Sequence, residues 1–135
     1  MNVKDLMQSA EENTTPFYYY DMELLDNTLN KLKYAADKYK YNVHYALKAN
    51  TNGRVLDLIS SYGFGADCVS GNEIGKAVAH GFCPDQIAFA GVGKTDREIE
   101  VGLGNDIFCF NCESIQEIEV INEIAIREGK VANIA

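Results

Sequence analysis

A parallel α/β fold is predicted by three features of this 135-residue sequence. Short apolar runs recur at near-constant spacing, segments of helical period separate them, and capping residues stand where those segments begin. The runs occupy residues 43–47, 65–69, 87–90 and 107–110 and resume at Val131, so their starts are 22, 22, 20 and 24 residues apart. Strands alternating with helices this regularly imply a parallel sheet, either open and doubly wound or closed as a (β/α)8 barrel.

Taken in order, Pro16 and the β-prone FYYY of residues 17–20 read as a first strand. A helix follows, with apolar positions Leu25, Leu29, Leu32, Ala36 and Tyr39. After the run at 43–47, Val55, Leu58, Ile59 and Tyr62 mark the next helix. Ile74, Ala77 and Val78 mark one after 65–69, and Ile115, Ile118, Ile121, Ile124 and Ala125 one after 107–110. Each stripe buries one helix face against a sheet. Asp21 and Ser70 stand as caps, and Thr95 with Glu98 and Ser114 with Glu117 fit the S/T-x-x-E capping box. No linker, low-complexity tract or repeated sequence divides the chain, and its length is that of about one domain.

Composition narrows the function classes. With 47% apolar and 24% charged residues the chain is an ordinary globular protein. A net charge of −8 opposes attraction to nucleic acid and to anionic membranes. The first twenty residues lack the apolar core of a secretion signal and no later segment is apolar enough to span a bilayer, so a cytoplasmic protein is expected. Its four cysteines, Cys68, Cys83, Cys109 and Cys112, are then expected to be reduced. Cys109 and Cys112 form a C-x-x-C, but Cys68 and Cys83 supply no second half-site, so no metal is assigned.

Two lysines invite a chemical reading. In AFAGVGKT (residues 88–95), Lys94 ends a segment like a P-loop. Walker A needs G-x-x-x-x-G-K-[ST], and Ala88 stands where the first glycine belongs. The next run, IFCFN, also lacks a Walker B aspartate. A capped βα loop is the plainer explanation. Lys48 ends the first core run, VHYALK. Strand alternation puts His44, Ala46 and Lys48 on one side and the bulkier Val43, Tyr45 and Leu47 on the other. Lys48 is therefore expected at the carboxyl end of a strand, facing a barrel interior or crevice, where α/β enzymes place their chemistry. A partly desolvated amine there can condense with an aldehyde. The alternatives are a lysine that snorkels to solvent or pairs with Asp67.

Four segments in order, TPFYYYD (15–21), YALKAN (45–50), GADCVSGNE (65–73) and AFAGVGKT (88–95), with the later NCES, resemble the amino-terminal part of the diaminopimelate decarboxylase family. These are fold III pyridoxal-phosphate enzymes, grouped with alanine racemase and the ornithine and arginine decarboxylases. The matched segments run from residue 15 to about 134. The resemblance implies that Lys48 carries pyridoxal 5'-phosphate covalently, that Asp67 is an acidic residue near it, and that Glu73 is a second cofactor-site carboxylate at a helix start. It implies decarboxylation of meso-diaminopimelate to L-lysine, with an amino acid as the small-molecule substrate and a homodimer as the assembly. From residues alone, Asp67 and Glu73 read equally well as a strand-end ion pair and a helix-start charge.

The family also implies a complete eight-stranded barrel followed by a β-rich domain, whereas a barrel alone takes about 250 residues. Residues 1–135 then correspond to a partial (β/α)8 TIM barrel, about its first half, reaching the fifth barrel strand near Val131. The family's ring-stacking histidine, phosphate loop, pyridine-nitrogen glutamate and proton-donating cysteine match no residue here. The 135 residues alone are expected to bind the cofactor poorly and not to turn over. Two other readings remain at this stage: a noncatalytic pyridoxal-phosphate-binding module and, less favoured, a P-loop NTPase.

Overall fold

Four short parallel strands form a single sheet in sequence order, β1 (His44–Ala46), β2 (Gly65–Cys68), β3 (Ile87–Phe89) and β4 (Cys109–Phe110). They are seen in a computed structural model that describes residues 3–14 and 16–135; Thr15, the first residue of the TPFYYYD segment, lies outside the described residues. Between them run α3 (Gly53–Ser61), α4 (Gly71–Ala79) and α5 (Asp96–Gly104), and α6 (Ile115–Glu128) follows β4. The chain thus has the alternating βα order expected of it. The run from Val131 does not form a full fifth strand; it contributes one parallel bridge, Phe110 to Ile134.

Alternation along the strands decides which side chains meet the helices. Ala66 and Cys68 of β2, Ile87 and Phe89 of β3, and Phe110 of β4 enter one core with Leu56 and Ile59 of α3, Ile74 and Ala77 of α4, Ile99 and Leu103 of α5, and Ile121 and Ile124 of α6. Burying each large aliphatic of this set contributes about 1.5–3 kcal/mol relative to exposure. The opposite face carries a row in strand register, Ala46, Asp67, Ala88 and Cys109.

Two helices precede the sheet. In α2 (Met22–Tyr39), capped by the Asp21 carboxylate on the Leu24 amide at 2.9 Å, Leu29 and Ala36 are buried. Leu32 and Tyr39, expected on the same stripe, are largely exposed. Residues 17–20 form no strand: the aromatic run has no sheet partner, and β propensity without pairing does not make a strand. Helix α1 (Val3–Glu12) lies outside the elements expected from the sequence and buries no residue. In α6 the apolar stripe is narrower than its isoleucines imply, because Ile115 lies outside the core.

Candidate active site

Lys48 lies one step beyond β1, on a single 3-10 turn over Leu47–Ala49. The strand alternation that would have aimed it with His44 and Ala46 therefore stops at Ala46. Leu47 is fully buried and pins the turn to the core. The Tyr45 hydroxyl donates to the Asn50 carbonyl at 3.1 Å, and burial pushes that phenol above its ordinary pKa. Asn50 Oδ1 accepts from the Asn52 amide at 2.8 Å, and Asn52 Oδ1 accepts from the Arg54 amide at 3.1 Å, which caps α3. Both asparagines thus build the turn. Its backbone is held at each end, while the Lys48 side chain is exposed and joins no hydrogen bond or ion pair among the described residues. The expected desolvation is not present around this amine.

The turn packs beside β2. There Asp67 pairs in register with Ala46 on one side and Ala88 on the other. Its carboxylate is half-buried, sits on the face turned away from the helices, and likewise joins no hydrogen bond or ion pair among the described residues. The Lys48–Asp67 ion pair weighed from the sequence is thus absent among them. An amine and a carboxylate, neither in a hydrogen bond or ion pair among the described residues, are left at the adjacent carboxyl ends of β1 and β2, where the in-register neighbours of Asp67 are Ala46 and Ala88.

Glu73 has a defined task at the start of α4. Its Oε2 accepts from the Val69 amide at 2.7 Å, and its own amide donates to Ser70 Oγ at 3.2 Å. This pair of bonds fixes the chain immediately after Asp67 and Cys68. Cys68, on the core side of β2, is pushed up to about 12 by burial, with the charges of Glu73 and Asp67 adding to the effect. A thiol so protonated is no nucleophile.

The buried lysine of this chain is Lys94. Its side chain is 1% exposed, and its ammonium donates to the carbonyls of Gly91 at 2.9 Å and Asn111 at 2.7 Å and to Glu117 Oε1 at 2.6 Å. All three donors are used, and Phe89 presents its ring 5.3 Å away. Gly91 and Gly93, at φ 101° and 73°, let the loop double back to make this possible. A P-loop lysine must be free to meet phosphate, so this engagement removes the NTPase reading. Burial pushes the Glu117 carboxyl up, but Lys94 and the Glu113 amide, 2.7 Å from Oε2, outweigh it and hold the group below its ordinary range.

The capping pattern also differs in detail from expectation. Thr95 and Glu98 form the reciprocal box, and Glu98 additionally accepts from the Gly71 amide of α4 at 3.1 Å. Ser114 caps α6, but Glu117 takes the Glu113 amide instead of the Ser114 amide, the same arrangement that Glu73 makes with Val69 and Ser70, while its other oxygen meets Lys94. Elsewhere, His44 lies on the inner face at the amino ends of the strands, edge-on to Phe108 at 6.1 Å, beside a cavity of about 300 Å³ lined also by Lys33, Gly65 and Asp85. That cavity opens at the end of the sheet opposite Lys48. Among the described residues, no three His, Cys, Asp or Glu side chains are grouped to hold a metal ion.

The groups at the carboxyl ends of β1 and β2 fit an aldehyde cofactor: a primary amine and, at the neighbouring strand end, a carboxylate, neither held in a hydrogen bond or ion pair among the described residues. The class is settled by comparison with known families. The chain belongs to the pyridoxal-dependent decarboxylases, matching the model of their pyridoxal binding domain over residues 25–134. The cofactor of that family is pyridoxal phosphate. Among its relatives, the diaminopimelate decarboxylase of Bacteroides thetaiotaomicron is 57% identical over 122 residues, which cover 90% of this chain and 32% of that protein. The diaminopimelate decarboxylase of Helicobacter pylori strain J99 is 40% identical over 134 residues, covering 99% and 32%.

Solved structures agree. The Helicobacter pylori diaminopimelate decarboxylase complexed with L-lysine superposes with a TM-score of 0.81 at 38% identity, covering 98% of this chain and 33% of that one. The M. jannaschii diaminopimelate decarboxylase in complex with L-lysine gives 0.90 at 34% identity, covering 96% and 31%. The chain spans about a third of the length of the relatives it matches.

Proposed function

We propose that residues 1–135 form the amino-terminal part of a pyridoxal-phosphate-dependent decarboxylase that converts meso-diaminopimelate to L-lysine and carbon dioxide. In this reading they are about the first half of a (β/α)8 barrel, reaching its fifth strand, and the activity belongs to a longer, homodimeric polypeptide. The observation that carries it is the 57% identity to a diaminopimelate decarboxylase across 90% of the chain, with Lys48 unengaged in the YALKAN segment.

Pyridoxal phosphate, when bound, supplies the electron sink for loss of the carboxylate. The residues of this chain bind and orient. Lys48 Nζ is the amine that holds the cofactor aldehyde, on a turn whose backbone is anchored by Leu47, Tyr45 and Asn50. Asp67, at the end of the neighbouring strand, is the acidic group of the cofactor site in this reading. Glu73 acts one step further back, holding the Val69 amide so that the end of β2 keeps its place.

The test is turnover by the full polypeptide containing these residues. Incubated with pyridoxal phosphate and meso-diaminopimelate, it is expected to release carbon dioxide and L-lysine in equal amounts. Residues 1–135 alone are expected to release neither. Cofactor binding by the full polypeptide without product from this substrate would reject the diaminopimelate assignment.

A further inference from the structure

Lys94 lies outside the Lys48–Asp67–Glu73 set, yet its burial and full coordination mark it as more than a loop residue. An ammonium taken out of water costs several kcal/mol unless each donor is met, and here each is. The three acceptors come from three places: Gly91 from the loop after β3, Asn111 from the residue after β4, and Glu117 from the first turn of α6. The Asn111 amide in turn donates to the Phe89 carbonyl at 2.9 Å. One side chain therefore ties the carboxyl ends of two adjacent strands to each other and to a helix start. Those ends continue the edge on which Ala46, Asp67, Ala88 and Cys109 stand in register.

We propose that Lys94 is a positioning residue for the cofactor site, holding the loops after β3 and β4 as one rigid rim on the side of Asp67 away from Lys48. It makes no contact with cofactor or substrate in this role. Its effect passes through the backbone at 90–93 and 111–114. The inference rests on the pyridoxal-phosphate reading above. The titratable groups around it are Glu117, which it contacts, Asp96 and Glu113, which line the same cavity, and the Cys112 thiol, itself raised chiefly by burial.

The experiment compares Lys94→Met, Lys94→Arg and Lys130→Ala in the full polypeptide. Lys130 is a control for stability alone, since it ties α6 to the Leu103 carbonyl and Asp106 at the other end of the layer. Amide exchange is read over residues 89–94 and 110–117, and pyridoxal-phosphate affinity is read by absorbance. Lys94→Met should speed exchange in both segments and weaken cofactor affinity by about tenfold or more, the scale on which small misplacements act. Lys94→Arg should recover part of both. Lys130→Ala should lower the melting temperature while leaving affinity unchanged.

If Lys94→Met and Lys130→Ala both lower stability and neither changes affinity, Lys94 is structural only and the proposal fails. If Lys94→Met does not fold, unchanged affinity in Lys94→Arg with accelerated rim exchange overturns it equally. Absence of pyridoxal-phosphate uptake by the unsubstituted polypeptide would instead reject the functional reading, and this inference with it.

Discussion

Lys94 Nζ and Glu117 Oε1 meet at 2.6 Å across the carboxyl rim of the sheet, with side chains only 1% and 11% exposed. Removing one partner leaves the other charged and largely buried. Lys94→Met should therefore lower stability by about 3 kcal/mol or more, and the double change Lys94→Met with Glu117→Leu should cost clearly less than the sum of the two single changes. Denaturant unfolding of the four proteins of this cycle measures it; additive losses would show that the pair is not coupled.

The same carboxylate gives an acid dependence. The folded-state pKa of Glu117 lies below its ordinary 4.5, so the folded protein binds fewer protons there than the unfolded chain. Its contribution is complete above that ordinary value and is lost as pH falls through the folded value. Glu98, held down by the Thr95 and Gly71 amides, acts in the same direction. Glu117→Gln should flatten the acid limb of stability against pH, measured as melting temperature from pH 7 downward, and leave Glu98's share in place.

Gly65 opens β2 against the His44 imidazole. A Cβ at this position would collide with His44 Cδ2 and with the Gln86 carbonyl oxygen, and the carbonyl belongs to backbone that cannot step aside. Gly65→Ala should destabilise by about 1–3 kcal/mol, as overpacking does. Adding His44→Ala should restore only part of the loss. Full recovery in the double variant would mean that the carbonyl contact is not limiting.

Cysteine reactivity should follow burial. Cys68 is enclosed and pushed up to about 12, whereas Cys83 is exposed. Native protein treated with a small alkylating reagent near pH 8 should carry label on Cys83 well before Cys68, as read by peptide mass. Equal labelling would contradict the packing of β2 against the helices.

Much of this fold is legible in the sequence because period and spacing are physical signatures of burial. The runs at 65–69 and 87–90 contain β2 and β3, and Ser70, Thr95 and Ser114 cap the helices they precede. What failed did so where a tertiary partner decides. The aromatic run at 17–20 has the composition of a strand but no neighbour to pair with, and α1 shows helical spacing at Val3, Leu6, Met7 and Ala10 that never reaches a core.

The site was legible by type and only partly by geometry. Lys48 and Asp67 stand at adjacent strand ends, but the 3-10 turn at Leu47 takes Lys48 out of the strand alternation that would place it with His44 and Ala46. Lys94 was visible only as a phosphate-loop look-alike. Its partners Asn111 and Glu117 are 17 and 23 residues away, and nothing local in the sequence connects them.

The decisive measurement is the attachment point of the cofactor. The full polypeptide is loaded with pyridoxal phosphate, reduced with borohydride, digested and mapped by mass. The reduced pyridoxyl group should sit on Lys48 alone. Lys48→Ala should abolish it while changing stability by no more than about 0.5 kcal/mol, as expected for an exposed, unengaged side chain. Label on a different lysine, or stable label retained in Lys48→Ala, would contradict the assignment of this turn as the cofactor's anchor.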